Sequence, residues 1–371
     1  MISNDIHGST ETPVFKRDLV LEHLRTLIVT GELKPGRRMP TRSTIESQFK
    51  TGRRLVDEAF QRLEEDGFVY TEPKHGTYVS EHPPHLCRYG FIMGQEPGPG
   101  WQAFTAAIRR EIPDIGKQRT CRFVFYENIM AYPDTPEHGG LLRDILAHRL
   151  AGLMFRDDGV AHALSDTPAM TAGDVSRVIL AADTRLVGRH PKTVSICVDE
   201  NAFFGCSLDY LREHGRRRVA VLGATDFRGE DITNLVLLAE AHGMIIKPHW
   251  VHEARSRVQF QGLTALLLSL PPDERPDGFI ITNESSIDPV GSAVLASGYQ
   301  AGRDLDMVAY SSMSCTDALA VPMRRLGVGI RERLRVAVDV IERQNRGESV
   351  PPCVLLRPLF EEELVAAPDS A

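Results

Sequence analysis

The run Glu81-His82-Pro83-Pro84-His85 divides this 371-residue chain into two stretches with different apolar periodicity. Before it, apolar residues recur every three to four positions and end in a hairpin pattern. Behind it, short continuous apolar runs alternate with helical ones. One layered core does not accommodate both patterns, and the length has room for two or three domains. The expected organisation is a small domain over 13–80, a linker over 81–86 and a larger domain over 87–365. Paired prolines favour an extended, stiff spacer between them.

In the first stretch Val20, Leu24, Leu27 and Ile28 share a helical face, and Gly31 supplies the stop. Leu33-Lys34-Pro35-Gly36 reads as a turn. Thr41 is placed to cap a second helix carrying Ile45 and Phe49, with Ser43 and Glu46 spaced as a capping box. A third helix is expected from Gly52 to Asp66, with Val56, Ala59, Phe60 and Leu63 as its apolar stripe. Phe68-Val69-Tyr70 and Thr77-Tyr78-Val79 then flank the turn Glu72-Pro73-Lys74-His75 as a hairpin. Three short helices and a hairpin make a winged helix-turn-helix, whose third helix presents its N-terminus to the major groove.

Charge points the same way. Between Lys34 and Arg54 lie seven bases and one acid, Glu46, a net +6 in a chain whose total is −7. A basic island in an acidic protein suits a phosphate face, because each neutralised phosphate releases counterions. The candidate DNA contacts are Arg37, Arg38, Thr41 and Arg42 before and in the second helix, and Gly52, Arg53 and Arg54 opening the third. Lys74, His75 and Gly76 form the wing tip. The competing account of the arginines is a solvated basic face, and of His75 plain exposure.

Residues 14–79 resemble the GntR family of bacterial regulators. Its pattern G-x-L-x-P-G-x-x-L-P-S falls on Gly31-Glu32-Leu33-Lys34-Pro35-Gly36-Arg37-Arg38-Met39-Pro40-Thr41. Its recognition-helix pattern falls on Thr51 to Leu63, and its E-G-x-V and G-T-F-V on Asp66-Gly67-Phe68-Val69 and Gly76-Thr77-Tyr78-Val79. Two departures stand out. The Ser that usually caps the recognition helix is Gly52, and the Arg usual after P-S-E is Ser43, with Arg42 one place earlier.

Behind the prolines, strand-like runs at 89–93, 122–125, 152–155, 177–180, 218–222, 278–281 and 307–310 alternate with helical segments at 102–112, 139–150, 202–214, 231–243, 258–269, 288–298 and 330–344. This alternation argues for an α/β fold with parallel sheets covered on both faces. Val198-Asp199-Glu200-Asn201 followed by Glu213-His214-Gly215-Arg216-Arg217-Arg218-Val219 is similar to the signature of LacI-type effector domains. So are Pro276-Asp277-Gly278-Phe279-Ile280-Ile281-Thr282-Asn283-Glu284 and Asp304 to Ser311. The resemblance implies a periplasmic-binding-protein-like pair of lobes, one about 87–195 and 325–348, the other about 196–322 and 349–365. A ligand cleft at the hinge would lie beyond the strand carboxyl ends. It places Asn283 in that cleft, with Ser311 where sugar-binding relatives carry Asp and Arg228 upstream of a missing Arg. Trp101 could stack on a sugar or simply pack. The effector is expected to be a small molecule, a sugar among the options, with a non-sugar ligand or none as the others.

Enzyme readings find little support. A pyridoxal-phosphate domain, sometimes fused to GntR-type winged helices, needs a Schiff-base lysine. After residue 87 the lysines are Lys117, Lys192 and Lys247, none in a convincing setting. The chain holds no G-x-S-x-G, P-loop or H-E-x-x-H, and Gly327-Val328-Gly329 follows no clear strand. The six cysteines are scattered without a CxxC, which suits buried thiols in a reducing compartment. No catalytic residue, metal or cofactor is assigned. The expectation is a cytoplasmic repressor, without membrane association, that binds double-stranded operator DNA as a homodimer. Cleft closure would reach the winged helices through the proline linker. A small-molecule-binding protein whose winged helix serves another role is the alternative.

Overall fold

The computed structural model describes residues 16–94, 99–129, 136–172, 175–184, 187–188, 193–223, 227–312, 319 and 321–366. Residues 13–15 of the expected first domain, most of the Gly-Pro-rich turn before Trp101 and the Trp101 side chain lie outside them.

The N-terminal domain comprises α1 (Lys16–Val29), α2 (Arg42–Phe49), α3 (Arg53–Glu65), β1 (Val69–Glu72) and β2 (Gly76–Val79). Val20, Leu24 and Ile28 of α1 meet Ile45 of α2 and Val56, Phe60 and Leu63 of α3 in one buried core. The two strands pair antiparallel with Val69 opposite Val79. The segment before α2 also pairs with β2 through an isolated bridge that the sequence does not signal. Arg38 bridges to Tyr78, and the Met39 and Val79 amides donate to the Thr77 and Arg37 carbonyls at 2.8 Å. The two arginines 37 and 38 therefore belong to the wing. Thr41 caps α2, its hydroxyl accepting from the Thr44 amide at 3.2 Å. The Ser43–Glu46 capping box does not form, because Ser43 already lies inside the first turn and Glu46 faces Arg53 at 3.6 Å.

The proline linker is not extended throughout: Pro83 keeps extended angles, φ −69° and ψ 150°, but the chain turns helical at Pro84. Pro83 caps, and Pro84 opens, the one-turn helix α4 (Pro84–Cys87), which runs directly into β3 (Arg88–Ile92). Proline is tolerated at a first helical position because its missing N–H has no partner there in any case.

Then follow α5 (Pro99–Arg119), β4 (Arg122–Tyr126), α6 (Pro136–Leu146), β5 (Gly152–Asp157), α7 (Asp158–Ala163), α8 (Pro168–Thr171), β6 (Ser176–Ala182) and β7 (Thr193–Val198). The second lobe holds α9 (Glu200–Glu213), β8 (Val219–Gly223), α10 (Gly229–Ala241), β9 (Val251–Glu253), α11 (Arg257–Leu268), β10 (Gly278–Ile281), α12 (Ile287–Ala296), β11 (Asp306–Ser311) and β12 (Arg324–Gly327). The chain returns to the first lobe for α13 (Ile330–Asn345) and β13 (Cys353–Leu356), then leaves it for β14 (Leu359–Phe360) and α14 (Glu361–Ala366).

The first sheet has the order β13-β7-β6-β5-β3-β4 and the second β14-β12-β11-β10-β8-β9. All pairs are parallel except β12 with β14. Each sheet buries apolar side chains on both faces. The chain passes between lobes near 199, 328–329 and 357–358. This shifts the expected boundaries: 324–327 pairs within the second lobe and 353–356 within the first. Two further expectations change. Helix α5 continues through Pro113, held by buried Ile108 and Ile115 on the same face. Gly327-Val328-Gly329 does follow a strand, β12, where Gly327 lies opposite Ser311.

Candidate DNA-binding face and inter-lobe cleft

The basic side chains of α2, α3 and the wing are not equivalent. Arg53 and Arg54 open α3 behind Gly52, which supplies no side-chain cap. Arg53 reaches Asp57 at 3.2 Å and Arg54 reaches Glu58 at 3.0 Å, pairs in which the arginines stay 63% and 90% exposed. Exposed i,i+4 pairs contribute only about 0.3–0.5 kcal/mol, so a phosphate or base can displace them. Arg37, Arg38 and Lys74 are exposed and make no ion pair among the described residues. Lys74 holds a left-handed φ of +70° at the wing tip, and Gly76 follows at +122°. A Cβ on Gly76 would meet the Arg38 guanidinium at 2.9 Å, so glycine lets that side chain lie across the wing. His75 stands exposed with Glu72 3.7 Å away.

Arg42 differs from its neighbours. Its Nε donates to Asp57 at 2.6 Å, its Nη1 to Thr77 Oγ1 at 3.3 Å, and its guanidinium lies 4.5 Å from the Phe60 ring centroid. It joins α2, α3 and the wing. Thr41 spends its hydroxyl on the α2 cap.

Between the lobes lies a cavity of about 470 Å³ at the carboxyl ends of the strands. The first lobe contributes Asp157 at the end of β5, Asp158 just past it, Ala181 and Asp183 at β6, and Val198. The second contributes Glu200, Phe203 and Phe204 of α9, then Phe227, Thr282, Asn283 and Tyr310. Arg333 of α13 completes the wall. The volume falls in the range of about 300–1,000 Å³ typical of small-ligand sites.

Several of these groups are already fixed. Asp157 caps α7 through the Val160 amide at 3.0 Å and accepts from Arg156 Nε at 2.7 Å. Asp158 accepts from the Asp183 amide. Arg333 is 2% exposed and joins the lobes, donating through Nη1 to the Leu180 carbonyl at 2.7 Å and through Nη2 to the Tyr310 hydroxyl at 2.8 Å. Its buried Nε has no hydrogen-bond partner among the described residues, nor has the buried Thr282 Oγ1. Asn283, which lines the cavity, uses its carbonyl oxygen on the Ser285 amide and hydroxyl, so the donors of its NH₂ are not spent on that turn. Phe203 meets Phe204 and Tyr310 edge-on at 5.4 and 6.0 Å. Aromatic walls with carboxylate acceptors and Arg and Asn donors can hold the C–H face and the hydroxyl rim of one small polar ring.

Of the three expected cleft residues whose side chains are described, Asn283 alone lines the cavity. Ser311 does not: it is 1% exposed and donates to Glu284 at 2.8 Å, while its neighbour Tyr310 faces the cleft. Arg228 does not either. It is the exposed residue before α10, its amide donating to Asp231 at 2.9 Å, and Phe227 takes the wall position. The missed residues Asp157, Asp158, Asp183 and Glu200 share one signal, an acid just beyond the end of an apolar run. Arg333, in the first turn of α13, carries none.

Residues 16–79 match the family model described as bacterial regulatory proteins, gntR family. Over 344 residues the chain is 22% identical to the arabinose metabolism transcriptional repressor of Geobacillus stearothermophilus, covering 87% of this chain and 90% of that one. Among solved structures it is similar to a regulatory protein of the LacI family from Chloroflexus aggregans, with TM-score 0.55, 16% identity and coverage of 74% and 96%. A LacI-family transcriptional regulator from Lactobacillus casei with bound sucrose aligns at TM-score 0.50 and 19% identity, covering 74% and 98%. The latter two likenesses concern the fold.

Proposed function

On the premise of a GntR-type winged helix at 16–79 followed by a LacI-type two-lobed fold, we propose that the chain is a homodimeric transcriptional repressor. Its effector is a small polyhydroxylated molecule bound in the inter-lobe cleft. The observation that carries this reading is the cleft itself. Both lobes and the crossing helix α13 supply its wall, so a ligand there has different interactions with open and closed arrangements. A ligand shifts a conformational equilibrium only through such differential affinity.

Asn283, Arg333 and the Asp157–Asp158 corner supply the polar groups, and Phe203, Phe204 and Phe227 the apolar face. The relative named for arabinose metabolism and the neighbour holding sucrose favour a sugar. Arg37, Arg38, Arg53, Arg54 and Lys74 take the DNA, two winged helices reading a palindromic site. The site performs recognition rather than catalysis, in the cytoplasm where the operator is. Coupling between effector and operator of this kind is typically 1–3 kcal/mol and is reciprocal.

The test is binding of the pure protein to the DNA upstream of its own gene, with arabinose, other pentoses, hexoses and sucrose added in turn. A footprint released by one of them is the expected result. No footprint at all would refute the regulator reading, and a footprint that none of them disturbs would refute the sugar.

A further inference from the structure

Asp66, at the C-terminal end of the recognition helix, is 2% exposed and is met by three guanidiniums. Two belong to its own domain: Arg25 at 3.3 Å and Arg62 at 3.4 Å. The third, Arg149 at 3.1 Å, belongs to the first lobe. Arg149 also lies 3.1 Å from Asp144 of α6, and Asp144 is held from its other side by Arg88 at 2.9 Å. An unbroken chain of charges therefore runs from the end of α3 into the first residue of β3. His148 adopts a left-handed φ of +50° immediately before Arg149. That strained conformation needs support from its surroundings, and it lies at the turn that presents Arg149 to Asp66.

Beside these ion pairs the fully buried Phe68 ring stacks on His85 of α4, with centroids 5.8 Å apart and planes 14° from parallel. A domain swinging on a free tether would keep both groups in water. Here the helical turn α4 is packed as part of the junction.

We propose that the Asp66–Arg149–Asp144 ion-pair chain latches the winged helix onto the first lobe, so that the two move as one rigid body. The segment 81–86 is then not the moving part. Any closure of the lobes repositions the recognition helix directly, without bending the linker. Asp66 and Arg149 are positioning residues, because neither needs to touch DNA or effector. This inference depends on the proposed function only for what the motion achieves.

The test is backbone amide relaxation on the full, isotopically labelled chain, with no ligand or DNA. Latched, the amides of 16–79 share the correlation time of the lobes. Released, they tumble faster, by up to about sixfold on the ratio of 371 residues to the span 16–79. Arg149→Met is expected to release them while the chemical shifts of the 16–79 core persist, because Arg25 and Arg62 still neutralise Asp66. Asp144→Asn is expected to loosen them in part, and Arg149→Lys to restore most of the shared tumbling. Independent tumbling in the unaltered chain, or unchanged tumbling in Arg149→Met, would overturn the latch. Unfolding of 16–79 in that variant would also overturn it, since it would make Arg149 part of the domain's own core.

Discussion

Two arginines four positions apart, Arg38 and Arg42, make opposite predictions for salt dependence. Arg38 is exposed on the wing without an ion pair among the described residues. Arg42 is engaged by Asp57 at 2.6 Å, Thr77 at 3.3 Å and the Phe60 face at 4.5 Å. Each phosphate contact contributes about 0.9 to the slope of log K against log salt. Arg38→Ala, lost from both winged helices of a dimer, should therefore lower the slope by about 1.8. Between 50 and 200 mM salt the variant would lose roughly 12-fold less affinity than the parent. Arg42→Ala should leave the slope alone and instead destabilise the domain. A half-exposed ion pair, a cation–π contact and a long hydrogen bond together contribute about 1–2 kcal/mol. Anisotropy titration of labelled upstream DNA across that salt range, with urea unfolding of each variant, separates the two. Equal slope changes would refute the distinction between phosphate contact and strut.

Replacing Arg53 and Arg54 together by Ala should abolish specific binding with the fold intact, checked by footprinting and circular dichroism. Gly327→Ala should destabilise the second lobe by more than about 2 kcal/mol, read as a fall in Tm, because its Cβ would lie 1.8 Å from the Ser311 carbonyl oxygen on the paired strand. Burial, and then the neighbouring His148 charge, hold the His85 imidazolium down at about 4. The unfolded chain, with the ordinary 6.5, takes up that proton first. Stability is then complete above about pH 6.5 and falls as the pH drops toward 4. His85→Phe, which keeps the ring against Phe68, should flatten that part of the urea-midpoint profile. Asn283→Ala should weaken effector binding at least tenfold by calorimetry while leaving DNA affinity without effector unchanged.

The winged helix was legible because its signals are local: a cap at Thr41, a stripe at Val56 to Leu63, a turn before Gly76. Its extra bridge to β2 was not, since Arg37-Arg38-Met39 carries no strand pattern and pairs only because β2 lies beside it. In the lobes, 278–281 and 307–310 are continuous apolar runs, and both fall within strands. The strand at 193–198 is diluted by Thr193 and Ser195, and that at 324–327 opens on two arginines, so neither reads as a strand in isolation. Which lobe each belongs to depends on sheet order, a long-range property. The cleft was the least legible part. Its acids come from separate strand ends, and Arg333 is one of three alternating arginines at the start of α13 until the fold places it against Tyr310.

The three passages between lobes also order events during synthesis. The first sheet is incomplete until its edge strand 353–356 emerges, whereas all the elements of the winged helix are present by about residue 80. At 5–20 residues per second the ribosome separates those moments by roughly 15–50 s. Throughout that interval the nascent chain carries a finished DNA-reading head on an unfinished receptor. A message broken before its last codons would yield an intact winged helix attached to a first lobe without its edge strand 353–356.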